Sequence, residues 1–380
     1  MQWNLLMALS LLMFCSTNVQ AQEVIDFQLW DGENTKGRLS FPSDMKEVPY
    51  LVVYIHGTGP GTYLDKRNMG GKEFNYYDVF ADKFGQQGVG FLSYNRRGVN
   101  VSDEPPMYNA VDSVKFKKYL PMNEAKDVES IIAQVKQRKG FKNTKIILLG
   151  WSEGTIIATL IAERKKVNIS ALLLCGYANE SMYDIIAWQY SGKSSMLTVC
   201  KCFDLNDDGV ISREEYESME KMAQHCRTTI FGNTDFGVLD QTKDSIIDHR
   251  DFKVLVEASF KTILEMAKKG NNAWIWKNYF QITSEWMKAH FQLEANKTRM
   301  LRLDLPVYIF QGMEDASTPV EGAMDIKERF EYMGKNNLSV QTFDGHDHDL
   351  NYTHWLKTGE LSKGMKAIFD ATKEIVVSDN

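Results

Sequence analysis

ILLGWSEGTIIATLIA, Ile147 to Ala162, changes character at its serine. The Ile and Leu run before it predicts a buried strand over 144–150, and the apolar residues after it, at helical spacing, predict a helix over 153–166. A serine at such a junction sits on a tight turn. Gly150 and Gly154 let strand and helix pass closely, and the hydroxyl projects above the sheet edge. Ser152 is therefore the candidate nucleophile.

Outward from this junction the same alternation recurs. Residues 24–30 and 37–41 read as opening antiparallel strands, 51–56, 89–94 and 170–176 as buried strands, and 74–87 and 123–139 as helices. From 177 to 304 the rhythm stops, and helical, aromatic and acidic segments take over. It resumes with a strand in LPVYIFQG from Leu305, a helix over 319–333, a strand over 338–343 and a last helix over 359–376. The expectation is an α/β fold whose mostly parallel central sheet is flanked by helices. Its core is divided into 22–176 and 305–380 by a largely helical cap inserted at 177–304.

Of the 380 residues, 43% are hydrophobic, enough for a large core. The formal net charge is −6 and no basic run carries interleaved aromatics, which argues against a nucleic-acid partner. Residues 1–21 hold an apolar stretch from Leu5 to Phe14, too short to span a bilayer, then a Val19-x-Ala21 step. This reads as a cleaved secretory signal and predicts an exported, periplasmic or extracellular protein whose mature chain has no membrane span. Lipid anchoring at Cys15 is disfavoured because Phe14 stands where a small residue is needed. An oxidising compartment permits disulfides among the remaining cysteines. Cys200 or Cys202 is expected to pair with Cys226, and Cys175, in an apolar run, to be a buried thiol.

A serine nucleophile needs a base, and the base an orienting carboxylate, both from loops at the same sheet edge. Asp315 follows the strand at LPVYIFQG, with Glu314 as its neighbouring alternative. FDGHDHDL offers two histidines after the next strand; its F-x-G-x-x-H spacing favours His348, with His346 second. Upstream, the glycine-rich turn from His56 to Gly61 leaves a strand. The backbone N–H groups of Thr58 and Glu153 are the expected oxyanion donors.

With these residues in place the chain resembles the α/β-hydrolase superfamily, in particular its esterase and acyl-peptidase-like serine hydrolases. The likeness covers 24–176 and 305–376, in the order Ser, Asp, His. Tyr94 to Ser102, YNRRGVNVS, looks like that family's Y-D-x-R-G-x-G-x-S loop, with Asn95 and Asn100 in place of Asp and Gly; asparagine tolerates left-handed backbone there. The resemblance implies attack by Ser152 on an acyl carbonyl and an acyl-enzyme released by water, without an organic cofactor. The expected substrate is a small ester or acyl compound. A peptidase or amidase of the same fold is the alternative within the enzymes, and an inactive calcium-binding protein the alternative outside them.

DLNDDGVISREE, Asp204 to Glu215, supplies oxygen ligands at the spacing of a calcium loop. Asp204, Asn206, Asp208, the Val210 carbonyl, Ser212 and Glu215 are the donors, with Gly209 at the sharp turn. A second copy has Asp240, Thr242, Asp244, Ile246, Asp248 and Asp251, but Ser245 replaces the turn glycine and Asp251 the final glutamate, so weaker binding is expected. The two read as an EF-hand pair built into the cap, with Ca2+ at the first. Trp188, Trp274, Trp276, Tyr279, Phe280, Trp286 and Phe291 are expected to form the cap's core and to line part of an acyl pocket.

Overall fold

The computed structural model describes residues 20–378. The signal segment expected over 1–21 lies outside them except for Gln20 and Ala21, which open the first strand. Eight strands form the main sheet: β1 (Gln20–Gln28), β2 (Asn34–Pro42), β3 (Tyr50–Ile55), β4 (Gly90–Tyr94), β5 (Lys145–Trp151), β6 (Ile169–Cys175), β7 (Val307–Gly312) and β8 (Leu338–Phe343). Their spatial order is β1-β2-β4-β3-β5-β6-β7-β8. β2 runs antiparallel to β1 and to β4, and all other neighbours are parallel.

Parallel neighbours need crossovers, so helices cover both faces of this sheet. On one face α1 (Asp78–Gln86) and the C-terminal helix pack Phe80, Phe84, Ile368 and Phe369 against β3, β4 and β5. On the other, α2 (Pro121–Lys136) and α3 (Glu153–Arg164) pack Ile131, Ile132, Ile157 and Ile161. Leu51, Val52 and Val53 of β3 are wholly buried, which is why that strand reads as an unbroken apolar run. Two helix expectations shorten. Residues 66–69 and 72–75 form a hairpin around Gly70 and Gly71, both at positive φ, so the helix expected over 74–87 begins only at Asp78. Left-handed Gly359 closes a short helix, and the last helix starts at Lys363.

Between β6 and β7 the insertion supplies α4 (Met182–Gln189), α5 (Lys193–Phe203), α6 (His249–Lys269) and α7 (Ser284–Phe291). The loops 204–215 and 240–251 lie side by side, joined by a short antiparallel bridge that pairs Ile211 with Ile247 and Ser212 with Ile246. Around them Phe203, Ile211, Tyr216, Phe236, Ile247 and Phe252 form a separate apolar cluster. Cys202 and Cys226 are disulfide-bonded, while Cys200 and buried Cys175 are free thiols, which decides between the two pairings left open by spacing. A further cluster seats the insertion on the core, joining Ile263, Ile275, Trp286 and Met287 to Ile156 of α3 and to Phe116 and Tyr119.

The β5–α3 junction is as tight as its glycines imply. A Cβ on Gly154 would lie 2.1 Å from the Ile55 carbonyl oxygen, and one on Gly150 would lie 2.5 Å from the Gly154 carbonyl oxygen. Both contacts are with backbone, which cannot rotate away. Gly154→Ala is accordingly expected to destabilise the fold by about 1–3 kcal/mol or more, read as a lowered urea midpoint at unchanged m-value; a midpoint equal to that of the unsubstituted protein would contradict this packing.

Candidate active site

β3 and β5 are parallel neighbours with Ile55 opposite Gly150, so the loops that follow them leave the same sheet edge. Ser152 is held there at φ 56° and ψ −122°, outside the regions an L-residue prefers. Its N–H donates to the Cys175 carbonyl at 2.9 Å, while its own carbonyl accepts from the Thr155 N–H and hydroxyl. Such a conformation costs on the order of 1–3 kcal/mol and survives only where neighbours impose it. The turn directs the serine at the cavity rather than into the helix.

Asp315 is fully buried after β7. Its Oδ1 accepts from the N–H groups of Ser317 and Thr318, and its Oδ2 from Gln311 Nε2 and the Thr318 hydroxyl. The same Oδ2 lies 2.7 Å from His348 Nδ1. Donation from Nδ1 leaves Nε2 as the ring's acceptor, the tautomer a general base requires. His346 is elsewhere engaged: its Nδ1 donates to the Asp344 carbonyl and its Nε2 accepts from the Gly364 N–H. Glu314 pairs with Lys201 of α5 instead of a histidine. Burial alone would lower the His348 pKa, but Asp315, with Asp349 and Asp347 behind it, raises it to about 9.

The turn after β3 is organised by Arg96, a residue that motif reading left without a role. Its guanidinium donates to the carbonyls of His56, Gly57 and Gly59. With those carbonyls turned away, the turn faces Ser152; a Cβ on Gly57 would be 3.3 Å from the Ser152 Cβ. His56 is not an acid–base group. Its Nε2 donates to the Tyr94 carbonyl, its Nδ1 accepts from the Tyr77 hydroxyl, and burial followed by the Arg96 charge lowers its pKa to about 3. In the same loop Gly98, not Asn95 or Asn100, takes the left-handed position, correcting the role expected for the asparagines. Asn95 Oδ1 accepts from the Tyr63 N–H, and Arg97 pairs with Asp31 and Asp127.

Beside Arg96 stands the carboxylate of Glu153, for which spacing assigned only the backbone N–H. It is buried and accepts from Trp286 Nε1 at 2.9 Å, His290 Nε2 at 2.8 Å and the Tyr119 hydroxyl. Burial would raise its pKa; His290 foremost, then Arg96 and Tyr119, hold it well below the usual carboxylate range. Glu124 completes the cluster by pairing with Arg96 at 2.9 Å. No sequence signal joined these groups, because they come from four separate segments.

Ser152, His348, Thr58 and Glu153 all line one cavity of about 780 Å³. Met182, Ile185, Trp276, Tyr279 and Trp286 of the insertion line it too, as do Asp65, Arg67 and Asp349. Of the expected aromatics, Trp276, Tyr279, Phe280 and Trp286 reach it, while Trp274 and Phe291 pack against the cluster between cap and core.

In the first acidic loop Asp204 accepts from the N–H groups of Asp208 and Gly209, Asn206 from Asp208, and Asp208 from Val210. Glu215 accepts from the N–H groups of Leu205 and Ser212 and from the Ser212 hydroxyl. The donor set is oxygen throughout, as a hard cation requires. With the carboxylates turned to these backbone groups, no three His, Cys, Asp or Glu side chains among the described residues gather as metal ligands. The second loop repeats the pattern, Asp251 accepting from Thr242 and Asp248 and Asp240 from Ser245. There, Arg250 places its guanidinium on Asp244 and Asp248, while Ile246 belongs to the bridge.

Residues 50–199 match the protein family described as alpha/beta hydrolase fold. No curated protein matches the chain. Among solved structures, a highly thermostable carboxyl esterase from Bacillus coagulans in complex with glycerol is similar at 15% identity and TM-score 0.52, over 94% of this chain and 99% of that one. DcsB in complex with its substrate analogue is similar at 14% identity and TM-score 0.51, over 94% and 99%. The chain has the α/β-hydrolase fold.

The raised His348 pKa has a consequence for stability. The unfolded histidine titrates near 6.5, so the stabilisation of the charged pair is complete below that value and is lost as pH rises through about 9. Urea unfolding between pH 6 and 10 should show this decline, and His348→Gln should flatten it; parallel curves for the two proteins would contradict the pairing.

Proposed function

We propose that the protein is a serine hydrolase that cleaves carboxylic esters through an acyl-enzyme. The observation that carries this reading is buried Asp315 holding half-buried His348, which opens on the same cavity as Ser152 on its strained turn. His348 Nε2 takes the Ser152 proton as Oγ attacks the acyl carbonyl. The carbonyl oxygen becomes an oxyanion facing the N–H groups of Thr58 and Glu153. His348 then returns the proton to the leaving oxygen, and a water activated by the same nitrogen releases the acid. An amide would follow the same route, but its amine leaves less readily than an alcohol, so esters are the first class to test.

The cap reading extends this. In the first loop Asp204, Asn206, Asp208, the Val210 carbonyl, Ser212 and Glu215 would hold Ca2+, which supplies a cross-link between the ends of the loop. Support comes from the pairing of the two loops through Ile211 and Ile247 and from the oxygen-only donor set. Arg250 already offsets two carboxylates of the second loop, which favours one ion per chain. The first loop begins where α5 ends, and α5 braces the acid's loop: the Ser194 hydroxyl donates to the Ala316 carbonyl at 2.6 Å, and Lys201 pairs with Glu314. Export, the remaining part of the reading, is supported by the Cys202–Cys226 disulfide.

Ser152→Ala should abolish hydrolysis of a short-chain chromogenic ester without lowering the melting temperature; residual turnover at the original rate would remove Ser152 from the mechanism. Because the base must be neutral, kcat/KM should rise with pH up to about 9, and a profile flat from pH 6 to 10 would exclude His348 as the titrating base. Calorimetric titration should find one calcium per chain, lost in Asp204→Ala with Glu215→Ala, and no heat of binding would reject the metal site.

A further inference from the structure

Glu153 carries a charge that the hydrolytic steps do not use. It is 1% exposed, and every partner of its carboxylate sits on an element other than its own. Trp286 and His290 lie one turn apart on α7 with ring centroids 4.2 Å apart, and both donate to Oε1. The Tyr119 hydroxyl, from the segment before α2, donates to Oε2, and Arg96 Nη2 lies 3.8 Å from the same oxygen. A carboxylate so placed is costly to bury and is tolerated only while its partners stay in position.

Two further facts give this cluster its meaning. Glu153 is the first residue of α3, so its side chain anchors the peptide whose N–H is the proposed oxyanion donor. Arg96 simultaneously holds the carbonyls of Gly57 and Gly59, on either side of Thr58. Both halves of the proposed oxyanion hole are therefore tied to one buried cluster, and the cap contributes two of its donors.

We infer that Glu153 is a positioning residue through which the docked cap sets the oxyanion hole, with His290 and Trp286 as the cap's side of the latch. This deepens the serine-hydrolase reading and rests on it. If the cap helix withdraws, the carboxylate loses two donors and keeps a buried charge. The Ser152–Glu153 peptide is then free to shift. A misplacement of about 1 Å can cost on the order of 100-fold in rate, comparable with losing one oxyanion donor. The cap thus acts on the chemistry as well as on substrate entry.

The test uses the full chain carrying His290→Ala, His290→Gln or Trp286→Phe. Turnover of a short ester is measured beside inhibition by an alkyl trifluoromethyl ketone, which forms a tetrahedral adduct with the serine. His290→Ala should lower kcat roughly 10- to 100-fold with KM changed by less than about twofold, and should weaken the ketone in proportion. His290→Gln, which can still donate to Glu153, should recover most of both. Trp286→Phe keeps an aromatic ring and removes only the N–H, so it covers the case in which His290→Ala fails to fold; it should show the same split to a smaller degree. Variants that melt lower but keep kcat and ketone affinity would reduce the cluster to packing and overturn the inference. Turnover that survives Ser152→Ala would instead remove the reading beneath it.

Discussion

The buried guanidinium of Arg96 is the contact on which the edge of the candidate site depends. A charge in the interior must be fully paired, and this one is paired in two directions at once. Glu124 of α2 neutralises it on one side, and the carbonyls after β3 absorb its donors on the other. The turn that faces Ser152 thereby loses its freedom. Glu153, close to the same guanidinium, extends the arrangement into the cap. Core, the turn after β3, the Ser152 junction and the inserted helices are thus joined by one set of desolvated hydrogen bonds, in which each group needs the others in place.

Around that edge the fold solves a geometric problem. Parallel strands bring the loops after β3, β5, β7 and β8 to one side, and each of those loops carries one part of the site. Ser152 is presented by backbone strain, Asp315 is fixed by four hydrogen bonds, two to each oxygen, and its Oδ2, shared with His348, sets the tautomer of that ring. His346 and His348 show how little spacing decides: two residues apart, one is spent on the backbone of its own loop and of the last helix, the other faces Asp315.

The insertion is more than a cover. Its helices meet the core at two points of chemical weight, α7 at Glu153 and α5 at the loop of Asp315. The first acidic loop continues directly from α5, and the second, paired with it through Ile211 and Ile247, runs into α6. The calcium-loop pattern is therefore joined to the loop of Asp315, one wall of the candidate site, through a single helix, which gives the coexistence of the two motifs a structural reason. The disulfide from Cys202 to Cys226 closes that unit beside its own small apolar cluster.

Much of this was legible in residue order. Period and punctuation foretold the mostly parallel sheet with its flanking helices and the tight turn at Ser152, because strands, helices and turns are written in local patterns a few residues long. The extent of the helix after the 66–75 hairpin and the position of the left-handed residue after Tyr94 were misjudged, since neighbouring segments override weak local preference. The partners of Glu153, the role of Arg96, the choice of Cys202 over Cys200 and the separation of His348 from His346 were decided only by the tertiary structure. Each depends on groups far apart in the chain meeting where water is excluded, and burial, which turns an ordinary glutamate or arginine into an anchor, is a property of the folded chain and not of its order.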